Sequence, residues 1–236
     1  MKEKGQTKRI RFTELDSTNL YAKSLRANGE NVVVTALRQT GGMGTKGRSF
    51  SSEEGGVYLT KLVFYEDFSA RDAFKIMAKT SVAVCRTLEA FGLSPVIKWA
   101  NDVFVSDKKI CGILIENVFS GNQISSSIIG VGLNVYNPLP EDLTGIATTM
   151  ERETGQRFDV ETVTERLVQE LEKDVDISEY ISRVGYMGRT VKLLFSDSEK
   201  EGKLLFVDEK GVLHAEIEGK ETALTSAEVS VRIERE

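Results

Sequence analysis

The sequence predicts an α+β protein in two parts, with helices and strands intermingled over residues 1–187 and a small all-β unit over 188–236. Three observations lead there. Val96 to Glu116 reads as two apolar strands, about Val96–Val105 and Ile110–Glu116, joined by a polar turn at Ser106–Lys108, which is a hairpin pattern. Helix-period segments at Ala70–Phe91 and after Asp159 alternate with strand-like runs. From about Gly188 only short β-like runs remain, at Val191–Phe195, Gly202–Val207, Val212–Ile217, Thr222–Leu224 and Val229–Ile233, between turns such as Asp208–Gly211 and Glu218-Gly219. That spacing suits a small antiparallel barrel.

The elements before 188 follow in order. Ile10–Leu15 reads as a short strand. Asp16-Ser17-Thr18-Asn19 offers N-cap residues to a helix of about three turns, with Leu20, Ala22 and Leu25 on one side and a stop at Asn28-Gly29. These groups need do no more than cap, although hydroxyls and amides at a helix start also bind small polar groups. Val32–Leu37 is a continuous apolar run and suits a buried strand. Gln39 to Arg48 then holds four glycines within Gly41–Gly47 and is no regular element. Its amides, with Lys46 and Arg48, suit phosphate, a mobile surface loop being the bland alternative; the spacing is not that of a Walker A loop. Val57–Phe64 alternates well enough for a strand. Ala70–Phe91 is a packing helix closed by Gly92. Gln123–Val135 is a strand region in which Gly130 and Gly132 strip one face, as a bulge or a tight sheet crossing also would. Pro138 and Pro140 break the chain, and Asp159 caps a helix carrying Val160, Val163, Leu167 and Leu171.

Composition bounds the function. The 236 residues suffice for one sizeable domain and a small one, and 40% hydrophobic with 28% charged residues is ordinary for a soluble globular chain. No apolar run approaches the ~20 residues of a membrane span, and Met1–Thr7 lacks a secretory apolar region, so a cytoplasmic protein without membrane attachment is expected. A net charge of −5 argues against general nucleic-acid binding but leaves room for a local basic pocket. Cys85 and Cys111 suggest neither a disulfide framework nor a metal site, and their apolar settings make them buried free thiols. The single histidine, His214, lies among polar residues and is a weak catalytic candidate.

The central hairpin carries the informative residues. Lys98, Asn101 and Asp102 stand on its first strand and Lys109 leads into its second. An unpaired buried charge costs several kcal/mol, on the order usually given, so these groups face either water or one another and a charged ligand. Lys98-Trp99-Ala100-Asn101-Asp102, then Lys109 and Gly112-Ile113-Leu114-Ile115-Glu116, resembles the central motif of biotin protein ligases, Lys-Trp-Pro-Asn-Asp followed by Lys-x-x-Gly-Ile-Leu-x-Glu. Ala100 stands where proline is usual. Asp16-Ser17-Thr18-Asn19 is similar to the ligase turn that meets the ureido ring of biotin. Gln39, Gly42, Gly44, Gly47 and Arg48 match the biotin loop Gly-Arg-Gly-Arg-x-Gly-Arg, with Met43 and Thr45 in place of its first two arginines. Gly130-Val-Gly132-Leu-Asn134-Val135 matches Gly-x-Gly-x-Asn-Val. The resemblance therefore spans nearly the whole chain.

That resemblance implies a mixed-sheet catalytic domain of the biotin/lipoate ligase type over 1–187 and an SH3-like C-terminal domain over 188–236. It implies ATP and biotin as substrates, Mg²⁺, and a biotin carboxyl carrier protein or domain as acceptor. Biotin would meet Ser17, Thr18, Asn19, Gln39, Gly42, Gly112, Gly130 and Gly132. Lys46, Arg48, Phe50, Lys98, Asn101 and Asn134 would serve the nucleotide, although Phe50 reads equally well as a core phenylalanine. Asp102 would hold the metal. Lys109, with Arg48 and Lys98, would supply the fixed positive charge that brings two anions together. The catalytic domain begins by about residue 8, so no operator DNA binding is expected, while a homodimer is allowed. A lipoate-type ligase and a protein that keeps biotin or its adenylate without transferring it are the alternatives.

Overall fold

The computed structural model describes residues 2–233. β1 (Thr7–Leu15) and β2 (Asn31–Gln39) run parallel, with Ile10 opposite Val34 and Phe12 opposite Ala36. A parallel pair needs a crossover, and α1 (Thr18–Ser24) provides it. Ser17 caps α1, and a 3-10 turn over Leu25–Asn28 ends at Gly29, whose φ of 68° suits glycine. The expected three-turn helix is thus about two α turns followed by a tighter one.

β3 (Gly56–Phe64) is buried at every position but the last, rather than alternating. It lies mid-sheet with both faces covered, and even Lys61 is enclosed, paired to Glu3 at 2.7 Å and Glu172 at 3.0 Å. α2 (Phe74–Ala90) begins later than its apolar pattern suggests, because Ser69 caps a separate 3-10 turn over Ala70–Asp72.

The central stretch departs most from expectation. Val96–Val105 is two strands, β4 (Val96–Lys98) and β5 (Asp102–Val105), folded back at Trp99-Ala100-Asn101 so that Lys98 pairs with Asp102. Distant partners hold that turn. Trp99 is buried and its Nε1 donates to Gly211 O at 3.0 Å. Tyr180 Oη donates to Ala100 O at 2.9 Å, and Asn101 Nδ2 donates to Ile113 O at 3.0 Å. β-propensity alone reads this segment as continuous. β6 (Lys108–Ser120) and β7 (Gln123–Asn134) complete a seven-stranded sheet in the order β1-β2-β3-β7-β6-β5-β4, antiparallel except for its first pair.

α3 (Met150–Thr154), α4 (Val160–Glu172) and α5 (Ile177–Arg183) follow, with Asp159 capping α4 through a 2.8 Å bond to Thr162 N. One sheet face gives Leu59, Ile113, Val131 and Leu133 to a core shared with Val82, Leu88 and Leu167 of the helices. On the opposite face Val34, Leu62 and Ile128 pack with Ala22 of α1. A second, antiparallel sheet holds β8 (Thr190–Leu194), β9 (Glu199–Val207), β10 (Leu213–Ile217), β11 (Lys220–Leu224) and β12 (Ser230–Arg232), ordered β11-β10-β9-β8-β12. Its Leu193, Leu204 and Leu213 join the same core as α2. Cys85 and Cys111 are free and buried, as expected. Among the described residues no helix is long and apolar enough to cross a membrane.

Replacing Tyr180 by phenylalanine should leave the buried Ala100 carbonyl without its partner. A loss of about 1–3 kcal/mol in unfolding free energy is expected, read in urea as a lower midpoint at unchanged slope.

Candidate functional site

Strand register builds the floor of the site. Tyr58, Gly132, Gly112, Asp102 and Lys98 stand opposite one another across β3, β7, β6, β5 and β4. Residues so paired share a face of the sheet. The row therefore presents two adjacent bare backbones and then an acid and a base. Beside it runs a second row, Thr60, Gly130 and Leu114.

A polar wall rises at one end. Gln39 Oε1 accepts from Thr18 N at 2.8 Å and from Thr18 Oγ1 at 3.0 Å, and Gln39 Nε2 donates to Ser52 Oγ at 2.9 Å. Thr60 Oγ1 lies 2.8 Å from Thr18 Oγ1 and 2.5 Å from Asn19 Oδ1, and its one proton serves one of them. Asn19 Nδ2 is buried and has no hydrogen-bond partner among the described residues. A side chain at position 130 would collide with that amide, so glycine is required there. Ser17 caps α1, accepting from Leu20 N at 3.4 Å, and also lines the space over the glycines, its hydroxyl proton unused by the cap. The structure thus joins Thr18, Asn19 and Gln39 and adds Ser52 and Thr60. Thr60 was missed because its strand reads as apolar core; the signal was a hydroxyl two places from Tyr58, on the face that meets Gly130.

The Gly-rich loop forms a small hairpin over this floor. Gly44 N donates to Arg48 O at 2.7 Å and Phe50 N to Gly42 O at 2.9 Å. The Phe50 ring lies across the glycine pair: a Cβ built on Gly132 would stand 2.6 Å from a ring carbon, and one on Gly112 3.3 Å. Arg48 turns back to Thr45, its Nε and Nη2 each 3.3 Å from that residue's oxygens. Lys46 Nζ donates to Ser230 Oγ on β12 at 3.0 Å.

Two cavities meet here. A cleft of about 840 Å³ is lined by Lys46, Arg48, Lys98, Asn101 and Asp102, with Ser230 and Arg232 of the second sheet, which the motifs did not signal. A space of only about 40 Å³ remains over the three glycines, between the polar wall and Phe50. Lys109 is the charged residue that lines both. Its Nζ is 2.7 Å from Asp102 Oδ1, and Lys98 Nζ is 3.7 Å from Asp102 Oδ2. Two ammonium groups thus share one carboxylate, leaving a net positive charge beside the junction. Burial, the largest cause, pushes the Lys98 pKa down, with Lys109 and Arg48 adding to it while Asp102 opposes.

Asn134 stands outside both cavities. Its Nδ2 donates to Thr148 O at 3.1 Å and its Oδ1 accepts from Asn137 Nδ2 at 3.1 Å. His214 is remote too, stacked on Phe206 with Nδ1 2.8 Å from Glu221. Among the described residues no group of three or more His, Cys, Asp or Glu could hold a metal ion alone. Asp102 lines the cleft, and its carboxylate, whose Oδ1 already lies 2.7 Å from Lys109 Nζ, is an oxygen donor there that a hard cation shared with phosphate oxygens would use.

Residues 10–134 match the biotin/lipoate A/B protein ligase family. The bifunctional ligase/repressor BirA of Bacillus subtilis is 29% identical over 238 residues, 92% of this chain and 72% of that protein. The biotin–[acetyl-CoA-carboxylase] ligase of Paracoccus denitrificans is 31% identical over 127 residues, 51% of each. Among solved structures, the biotin protein ligase of Aquifex aeolicus in complex with biotin and ATP superposes with a TM-score of 0.75 at 30% identity, covering 95% of this chain and 98% of that one.

The lowered Lys98 pKa fixes a sign for stability. Between that value and the ordinary 10.5, the unfolded chain holds the proton and the folded chain does not, so stability rises with pH across this window. Below it the ammonium is buried charged and the cost is fully present. Lys98→Met should be more stable than the parent at neutral pH and should lack the alkaline rise, as read by urea unfolding across a pH series.

Proposed function

The chain belongs to the biotin/lipoate A/B protein ligase family, and on that premise we infer that it is an ATP-dependent biotin protein ligase. A biotin carboxylate oxygen attacks the α-phosphorus of ATP and expels pyrophosphate, forming biotinyl-5′-AMP. A lysine amine of a biotin carboxyl carrier protein then attacks the acyl carbon and AMP leaves. The observation that carries this reading is the place of Lys109, the charged side chain common to the glycine-floored slot and the large cleft.

Two anions must come within bonding distance, and a fixed ammonium between them removes most of their repulsion. Biotin would lie over Gly112 and Gly132, its ureido group against Thr18, Asn19 and Gln39, and its carboxylate at Lys109. ATP would fill the cleft, its phosphates near Lys98, Lys46 and Arg48, and Asn101 beside the nucleotide. Asp102 would hold Mg²⁺, which when bound would neutralise charge on the phosphates. Holding Lys98 and Lys109 by one carboxylate keeps both ammonium groups aimed into the cleft before substrate arrives.

Thr45 lines both cavities, as Lys109 does, where the ligase loop motif carries an arginine. Threonine cannot make the forked, charge-assisted contact that arginine makes with a phosphate. The adenylate should accordingly be held less tightly than in ligases with the full arginine pattern, Lys46 and Arg48 compensating in part.

Three measurements follow. Labelled biotin should pass to a purified carrier domain in an ATP-dependent way, whereas lipoate should not. Lys109→Ala should keep the fold and lower the rate of pyrophosphate release by ~10²–10³; a change under about threefold would remove Lys109 from the reaction. Thr45→Arg should slow dissociation of preformed biotinyl-AMP by roughly tenfold, since one charge-assisted bond contributes about 1.5–3 kcal/mol, and stray biotinylation of bystander lysines should fall with it.

A further inference from the structure

We propose that Phe50 is an internal occupant of the glycine-floored slot, and that biotin binds by displacing its ring. The proposal rests on the biotin ligase reading above and deepens it at the same site. The family motif puts an aromatic residue near this position over the nucleotide. Here the ring lies on the other side of Lys109: Phe50 lines the small space over the glycines and not the large cleft.

The volumes decide between the two placements. About 40 Å³ is left beside the ring, room for a few waters at about 10–15 Å³ each, whereas ligand pockets run to about 300–1,000 Å³. The cleft of about 840 Å³ is already in that range with the ring where it is. The nucleotide's room is therefore preformed and biotin's is not. The polar wall is nonetheless in place, with Thr18 and Gln39 bonded to each other and Asn19 Nδ2 buried without a partner among the described residues. Half the slot waits for a polar ligand, and the protein's own apolar ring fills the other half.

Ring and ligand compete for one surface. A Cβ on Gly132 would lie 2.6 Å from the ring and one on Gly112 3.3 Å, so the phenyl group takes the close approach that the bare backbone offers to a flat ligand. The ring has a way out. It rides at the end of the Gly42–Phe50 hairpin, whose tie to the second sheet is the Lys46–Ser230 bond at 3.0 Å. Ser52 Oγ, which donates to Phe50 O at 2.9 Å, also accepts from Gln39 Nε2 at 2.9 Å, so the displaced segment is joined to a residue of the ureido wall. Burying a phenyl ring favours the closed state, and apparent affinity falls by the fraction of molecules whose slot is open.

The test is calorimetric titration of biotin, and separately of a non-hydrolysable ATP analogue, into the full chain and into Phe50→Ala. Phe50→Ala should bind biotin about tenfold more tightly than the parent, with analogue affinity changed less than twofold. In a parent chain carrying 4-fluorophenylalanine at position 50, the fluorine resonance should move toward its solvent position on adding biotin, and stay in place on adding the analogue alone. Should Phe50→Ala unfold, Phe50→Leu gives the same comparison with a smaller gain, and the fluorine measurement needs no truncation. Unchanged or weaker biotin binding by the variant, or a resonance that biotin does not move, would overturn the proposal, as would a several-fold loss in analogue affinity with biotin binding unaltered. If the parent and the variant both fail to bind biotin, the ligase reading falls and takes the proposal with it.

Discussion

The site depends on one row of sheet pairing. Tyr58, Gly132, Gly112, Asp102 and Lys98 come from five strands and are brought side by side by backbone register alone. A slip of one residue in any strand would send its member to the opposite, core-packed face. The core enforces the register, because Leu59, Val131, Leu133 and Ile113 occupy the alternate positions of the same strands and must be buried. Hydrophobic burial on one side of the sheet thus sets the placement of charge and bare backbone on the other.

Electrostatics then follows from burial. Lys98, Asp102 and Lys109 form a cluster with one more positive than negative charge at the edge of the cleft. Water is partly excluded, so the excess charge is poorly screened, and an anion entering the cleft supplies the compensation that the protein withholds. The depressed Lys98 pKa reports the same imbalance from the protein's side. Positive charge that mildly strains the free protein becomes favourable once phosphate is present.

The two sheets are tied through this region as well as through the shared core. Trp99, in the turn between Lys98 and Asp102, is anchored on Gly211 O in the turn that joins β9 to β10, and Lys46 of the Gly-rich loop reaches Ser230. Ser230 and Arg232 line the cleft that Lys98 and Asp102 also line. The small β unit therefore closes one wall of the site and fixes the turn that presents its charges.

Much of this was legible in the sequence, and the reason is locality. Asp159 as a cap, the apolar period of α2 and α4, the turns of the C-terminal strands and the bare positions Gly130 and Gly132 are set by a few neighbouring residues and their intrinsic geometry. So was the grouping of Lys98, Asp102, Lys109 and Gly112, which one motif holds within fifteen residues. What the sequence left open depends on partners far along the chain. Val96–Val105 reads as one strand because nothing local announces that Trp99, Ala100 and Asn101 will be held by Gly211, Tyr180 and Ile113. Thr60 joins the polar wall because β3 pairs with β7, and Asn134 is withdrawn from the cleft by Thr148 and Asn137. Phe50 was legible as an aromatic residue after a flexible loop, but its resting place depends on which bare surface the loop can reach. The sequence by itself determined which side chains and backbones are available for the chemistry; long-range pairing and burial, which close only when the whole sheet forms, decided which of them meet.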